Sequence, residues 1–199
     1  MFTSEYLAKN IVKEIVNNFS PGKCFYVGKF KPPNKGHYDA LKYLISKPYL
    51  QQVEVIVSNK TIDNITGEES VDIWNMYMES DPTVKVKIKL SDEVSPVVDV
   101  IHYLDGKPSS TSIYVAVGED DDQGYLQALQ NKYGAERVKE VIFPKENGIV
   151  TSTQVRSIIS DGDYETFKQT IPTVAYNKGM APKIFKMLST KNIKSNQNG

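Results

Sequence analysis

Cysteine, histidine and tryptophan are nearly missing from the chain: its 199 residues hold one Cys, two His and one Trp. The lone Cys24 cannot close an internal disulfide, and beside Phe25, Tyr26 and Val27 it reads as a buried strand residue rather than a nucleophile. A reducing compartment fits that usage. Nor is there an excess of either charge, since Lys+Arg and Asp+Glu both number 24, so no global field draws the surface to nucleic acid or an anionic membrane and any anion site must be local. No apolar run approaches the roughly 18 residues of a membrane span. Residues 1–19 place Leu7, Ile11, Val12, Ile15, Val16 and Phe19 at helical spacing among charges, which makes an amphipathic helix and not a signal peptide. Without secretion the sequons at Asn18 and Asn64 carry little meaning. No internal repeat is present.

What is there is the composition of a folded protein: 40% hydrophobic residues, 24% charged, 12 Tyr and 7 Phe. The length favours one compact domain, or one domain with a small helical appendage. The divisions are an N-terminal helix at 1–22, a main domain at 23–175, and a C-terminal helix with a mobile polar tail at 176–199. KCFYVG, after the turn signal Ser20-Pro21-Gly22, reads as a buried first strand, and HYDALKYLISK as the helix after it. QQVEVIVSN, VKVKIKL, TSIYVAVG and RVKEVIFP supply four more strands, with GEESVDIWNMYMES, SPVVDVIHYL and GYLQALQNKY as helices between them. VKVKIKL alternates apolar residues with lysine, as an edge strand does, and that alternation weighs against a polynucleotide-binding role. Beyond Thr151 come three helical stretches, around 152–160, 163–169 and 180–189, and a polar tail. Strands alternating with helices make an α/β fold with a parallel sheet covered on both faces, and such sheets bind ligands beyond the carboxyl ends of their strands.

Two segments are shaped for anions. GKFKPPNKGH, Gly28 to His37, delivers the chain into a helix whose unpaired N–H groups and dipole favour phosphate. Gly36 permits close backbone approach, His37 adds a donor, and Lys29, Lys31 and Lys35 add charge. The spacing is neither a Walker loop nor a dinucleotide fingerprint. The competing reading is a basic surface loop with a helix-capping histidine. TSTQVRSIIS opens another helix with Thr151, Ser152 and Thr153 and carries Arg156 on its first turns. Its competing reading is a well-capped helix with a solvent arginine.

GKFKPPNKGH resembles Gly-Arg-Phe-x-Pro-x-His-x-Gly-His, and STQVRSIISDGDYETFKQTIP resembles Ser-Thr-x-x-Arg with its trailing helix. These are the paired signatures of the nucleotidyltransferase branch of the adenylyl- and cytidylyltransferase-like α/β superfamily. The resemblance covers about residues 23–175 and is strongest to bacteriophage-encoded members. It implies a Rossmann-like five-stranded parallel sheet in the order 3-2-1-4-5, an order that the edge-like third strand also suggests. The implied reaction is attack by an acceptor phosphate on the α-phosphorus of ATP or CTP, with ATP favoured by the Gly-x-Phe opening, with Mg²⁺ present and pyrophosphate leaving. His37 matches the motif's second histidine and would donate to the phosphates. Arg156, Ser152 and Thr153 would hold the β- and γ-phosphates. Asn34 stands where the first histidine is usual, and Lys29 where arginine is common. Gly28, Phe30 and Gly36 fall in the nucleotide-binding loop, and Gly118 and Asp120 where relatives contact ribose and base. The metal ligands stay open, as do the acceptor, a phosphorylated small molecule, and homo-oligomerisation. A cytoplasmic location is expected, in the host if the chain is viral. A catalytically silent nucleotide-binding protein is the competing functional class. Glu119, Asp121 and Asp122 read as a solvated acidic loop, Trp74 as core rather than a base platform, and His102 as structural.

Overall fold

Period-two alternation along the inner strands decides the layering. On β1 (Gly22–Gly28), Cys24 and Tyr26 enter one buried cluster while Phe25 enters another; on β4 (Ile113–Gly118), Tyr114 and Ala116 face the first, and Ile113, Val115 and Val117 the second. A strand apolar on both faces needs helices on both sides. The computed structural model describes residues 21–119, 123–144 and 150–195. With β2 (Leu50–Val57), β3 (Lys87–Leu90) and β5 (Val138–Phe143), the strands form one all-parallel sheet in the order β3-β2-β1-β4-β5, as expected. The first face is covered by α1 (Lys35–Ile45), α2 (Gly67–Ser80), α5 (Ser152–Ser160), α6 (Tyr164–Phe167), α7 (Thr173–Asn177) and α8 (Ala181–Ser195). The second carries α3 (Pro96–Asp105) and α4 (Gly124–Tyr133). Chain order reverses between β1 and β4, so the crevice beyond Gly28 and Gly118 is the switch point of the sheet.

Several expectations are adjusted. The third strand pairs over only Lys87–Leu90 rather than seven residues, though it does lie at the edge. Helix α7 lies between the expected helical stretches, five residues being too short to show a helical period in the sequence. Helix α8 runs on to Ser195, through much of the segment expected to be a mobile tail. Trp74 is fully buried, and Cys24 too, its thiol pushed up to about 12 by burial. His102 is exposed on α3. The N-terminal helix expected at 1–22 falls almost wholly outside the described residues, which begin at Pro21, where Gly22 opens β1. No described helix is long and apolar enough to cross a membrane.

Candidate active site

The loop after β1 is built around a ring that folds back. Phe30 takes a left-handed backbone (φ 49°) and buries its side chain edge-on against Tyr26, His37 and Trp74. A Cβ on Gly28 would stand 2.7 Å from the tip of that ring, so the glycine leaves room for it. Phe30 thus shapes the cleft wall from within. Lys31 is turned inward and only 1% exposed, and its ammonium donates to the carbonyls of Lys29 and Ser58, each at 2.8 Å. Burial, partly offset by Glu68, lowers its pKa to about 8. Lys35 pairs with Asp39. Of the three loop lysines, Lys29 alone stands exposed at the lip without a side-chain partner among the described residues, so the loop contributes less open charge than its composition suggests.

Four successive donors hold the loop by its carbonyls. Lys31 takes that of Lys29, Arg156 that of Lys31 (2.8 Å), Ser152 Oγ that of Pro32 (3.0 Å), and Tyr77 Oη that of Pro33 (3.0 Å). Helix α1 then starts in a capping box. Asn34 Oδ1 accepts from the His37 N–H at 3.1 Å, and His37 Nδ1 accepts from the Asn34 N–H at 3.1 Å. An imidazole that accepts at Nδ1 carries its proton on Nε2, and burial holds its pKa at about 4, so at neutral pH His37 is an uncharged Nε2–H donor. The helix-capping reading and the donor reading are therefore compatible, since they use different nitrogens. Asn34 is buried, and its Nδ2 donates to Val150 O at 2.8 Å. The amide of Lys35 donates to Thr170 O, so among the first three N–H groups of α1 only that of Gly36 lacks an acceptor among the described residues. The expected anion cradle at this helix narrows to one amide and one imidazole.

Helix α5 offers more. Its N-cap Thr151 forms a capping box with Gln154, which leaves the amides of Ser152 and Thr153 without acceptors among the described residues. One turn on, Arg156 donates from its three nitrogens to Asp63 Oδ2 (2.6 Å), Lys31 O (2.8 Å) and Thr153 Oγ1 (3.1 Å). Gly28, Lys29, Phe30, Asn34, Gly36, His37, Gly118, Ser152, Thr153 and Arg156 all border one cleft of about 490 Å³ at the switch point. Of the residues expected in the site, Asp120 lies outside the described residues, as do Asp121 and Asp122 of the expected acidic loop.

No family model and no curated protein matches the chain by sequence. Its structure is similar to a solved structure of Plasmodium falciparum nicotinic acid mononucleotide adenylyltransferase complexed with APC, at 13% identity and a TM-score of 0.57, over 83% of this chain and 98% of that one. The same enzyme complexed with NaAD matches at 14% and 0.56, over 83% and 97%. The chain has the fold of these adenylyltransferases.

One residue at this site, Asp63, carries no expectation in the sequence, and Lys31 has a different role from the one expected. As a sequence Lys31 reads as open charge, because nothing local marks a lysine as turned inward. Asp63 reaches Arg156 across 93 positions, and only the turn-prone Asp63-Asn64 pair between two isoleucines marks the place.

Proposed function

We propose that the chain is a nucleotidyltransferase, moving a nucleoside monophosphate from ATP or CTP to a phosphorylated small-molecule acceptor. One observation carries this reading. The two segments that resemble the family's signatures, 116 to 125 positions apart, meet on one cleft and bond to each other through Asn34–Val150, Ser152–Pro32 and Arg156–Lys31.

In this reading an acceptor phosphate oxygen attacks the α-phosphorus, the bond to the bridging oxygen breaks, and pyrophosphate leaves with that electron pair. Catalysis is positioning and charge stabilisation. Neutral His37 donates its Nε2–H to the phosphate oxygens, where charge grows. The free amides of α5 and the planar fork of Arg156 receive the β- and γ-phosphates, and Lys29 reaches them from the lip. Asn34 acts as a positioning residue that holds His37 and ties both segments together. Gly118, on the cleft, serves ribose and base, and the resemblance gives Asp120 the same role. Among the described residues no group of three or more His, Cys, Asp or Glu could hold a metal; Mg²⁺ would enter with the triphosphate and would offset the charge of its phosphates.

A catalytically silent nucleotide-binding protein is the second reading, favoured by Asn34, whose carbonyl and amide are both engaged in the fold. Pyrophosphate release, measured with ATP or CTP against a panel of phosphorylated acceptors, separates the two. Release that depends on one acceptor is expected. Nucleotide binding with no release for any acceptor would favour the silent protein.

A further inference from the structure

Arg156 already has an anion. Asp63 stands at the tip of a two-residue turn in which the amides and carbonyls of Ile62 and Ile65 bond to each other (3.1 and 2.9 Å), with Asp63 at φ 47° and Asn64 at φ 62°. Positive φ at both central residues is the geometry of a tight hairpin turn, and Asp and Asn are the side chains that tolerate it best after glycine. Ile62 borders the main cleft, while Ile65 is buried on a neighbouring pocket of about 320 Å³ that shares Arg156 and Thr153 with it. The turn is thus anchored by an apolar side chain. Its carboxylate, 68% exposed, meets a guanidinium whose side chain is only 16% exposed.

The other two partners of Arg156 are a backbone carbonyl and a hydroxyl, both neutral. Asp63 alone of the three is charged, and it is exposed, so it is the one a phosphate most readily replaces. We propose that Asp63 is a built-in competitor for the phosphate position at Arg156, making that position selective for polyanionic phosphate chains over weaker anions. The inference rests on Arg156 receiving the β- and γ-phosphates. A triphosphate or pyrophosphate displaces the carboxylate because it brings more charge and more acceptors. A single carboxylate or monoester does not.

The test is calorimetric titration of the full chain with pyrophosphate and with ATP and CTP. Asp63→Asn keeps the turn residue's size and its tolerance of positive φ while removing the charge. Tightening of pyrophosphate and triphosphate binding by about 3–10-fold is expected, the range for loss of a partly exposed ion pair. Asp161→Asn removes the same charge from the neighbouring pocket, which Asp161 also borders, without touching the pair. It should tighten binding by less than about 2-fold. In an Arg156→Gln background the gain from Asp63→Asn should vanish. Unchanged or weaker binding by Asp63→Asn overturns the proposal, as does an equal gain from Asp161→Asn, which would make the effect one of general charge. Absence of pyrophosphate and triphosphate binding in wild type and variant alike, with both melting cooperatively, would instead bring down the phosphate assignment of Arg156 on which the proposal stands.

Discussion

At the scale of single residues, the chemistry depends on which atom of each side chain the fold has already taken. His37 keeps Nε2 for a ligand because Nδ1 is held in the capping box. His37→Ala should lower turnover by about 10²–10³-fold with nucleotide affinity within a few-fold, because the hydrogen bond strengthens only as charge develops. Steady-state kinetics with parallel binding titration reads it, and equal turnover would remove the assigned role. The lowered pKa has a stability consequence. Between about 6.5 and 4 the unfolded chain takes up a proton that the folded imidazole refuses, so stability should fall as pH drops through that window, by up to about 3 kcal/mol. Urea unfolding of wild type and His37→Ala at pH 7 and 4.5 should show the variant lacking that share of the loss. Lys31 gives a second window. Its folded pKa of about 8 lies below the usual 10.5, so the cost of its buried charge is present in full below pH 8 and relieved as pH rises toward 10.5. Arg156→Lys should weaken triphosphate binding by about 1–3 kcal/mol while hardly affecting the monophosphate, because one ammonium cannot serve the three acceptors the guanidinium now reaches. Equal losses for both ligands in calorimetry would mean that Arg156 grips something other than the leaving pyrophosphate.

At the scale of elements, the site is the seam between the β1–α1 loop and the start of α5. Asn34 serves both sides of that seam, as N-cap of α1 and as donor to Val150. Asn34→Ala should therefore cost about 1–3 kcal/mol, a lost cap together with an unpaired buried carbonyl, and Asn34→His should fare little better for stability. Chemical denaturation checks it; a change under 0.5 kcal/mol would show that the seam does not depend on this side chain. The capping-box spacings of all three helices can be read locally, as Asn34 to His37, Thr66 to Glu69 and Thr151 to Gln154, since each needs only residues three apart. Helices α2 and α4 coincide with GEESVDIWNMYMES and GYLQALQNKY for the same local reason. Helix α7 and the shortness of β3 could not be read so, one too brief for a period and the other pairing only from Lys87 although its partner β2 runs back to Leu50.

At the scale of the whole molecule, equal numbers of acidic and basic residues leave no global field, so an anion site must be local, and the switch-point cleft is the one proposed. Ligand binding there should stabilise the entire sheet, because the cleft is bounded by residues from β1, α1, β4 and α5. A nucleoside triphosphate that binds there, at about 100 times its dissociation constant, should raise the melting midpoint by roughly 5–10 °C. Thermal scans with ATP and CTP side by side would also choose between them; a shift with neither would leave the cleft without its expected ligand.

The sequence by itself determined the alternation of strands and helices, the edge character of the third strand, and the two anion-shaped segments at the starts of α1 and α5. These are set by hydrophobic period, caps and turn residues, all of which act over a few positions. Only the tertiary structure decided which groups in those segments are open to a ligand. Lys31 turned inward because Ser58 at the end of β2 offered a carbonyl, the amides of Lys35 and His37 were taken by Thr170 and Asn34, and Arg156 found Asp63. A buried polar atom bonds to whichever partner the packing brings near, and apart from Asn34 those partners lie 27 to 135 positions away, where no local pattern reports on them.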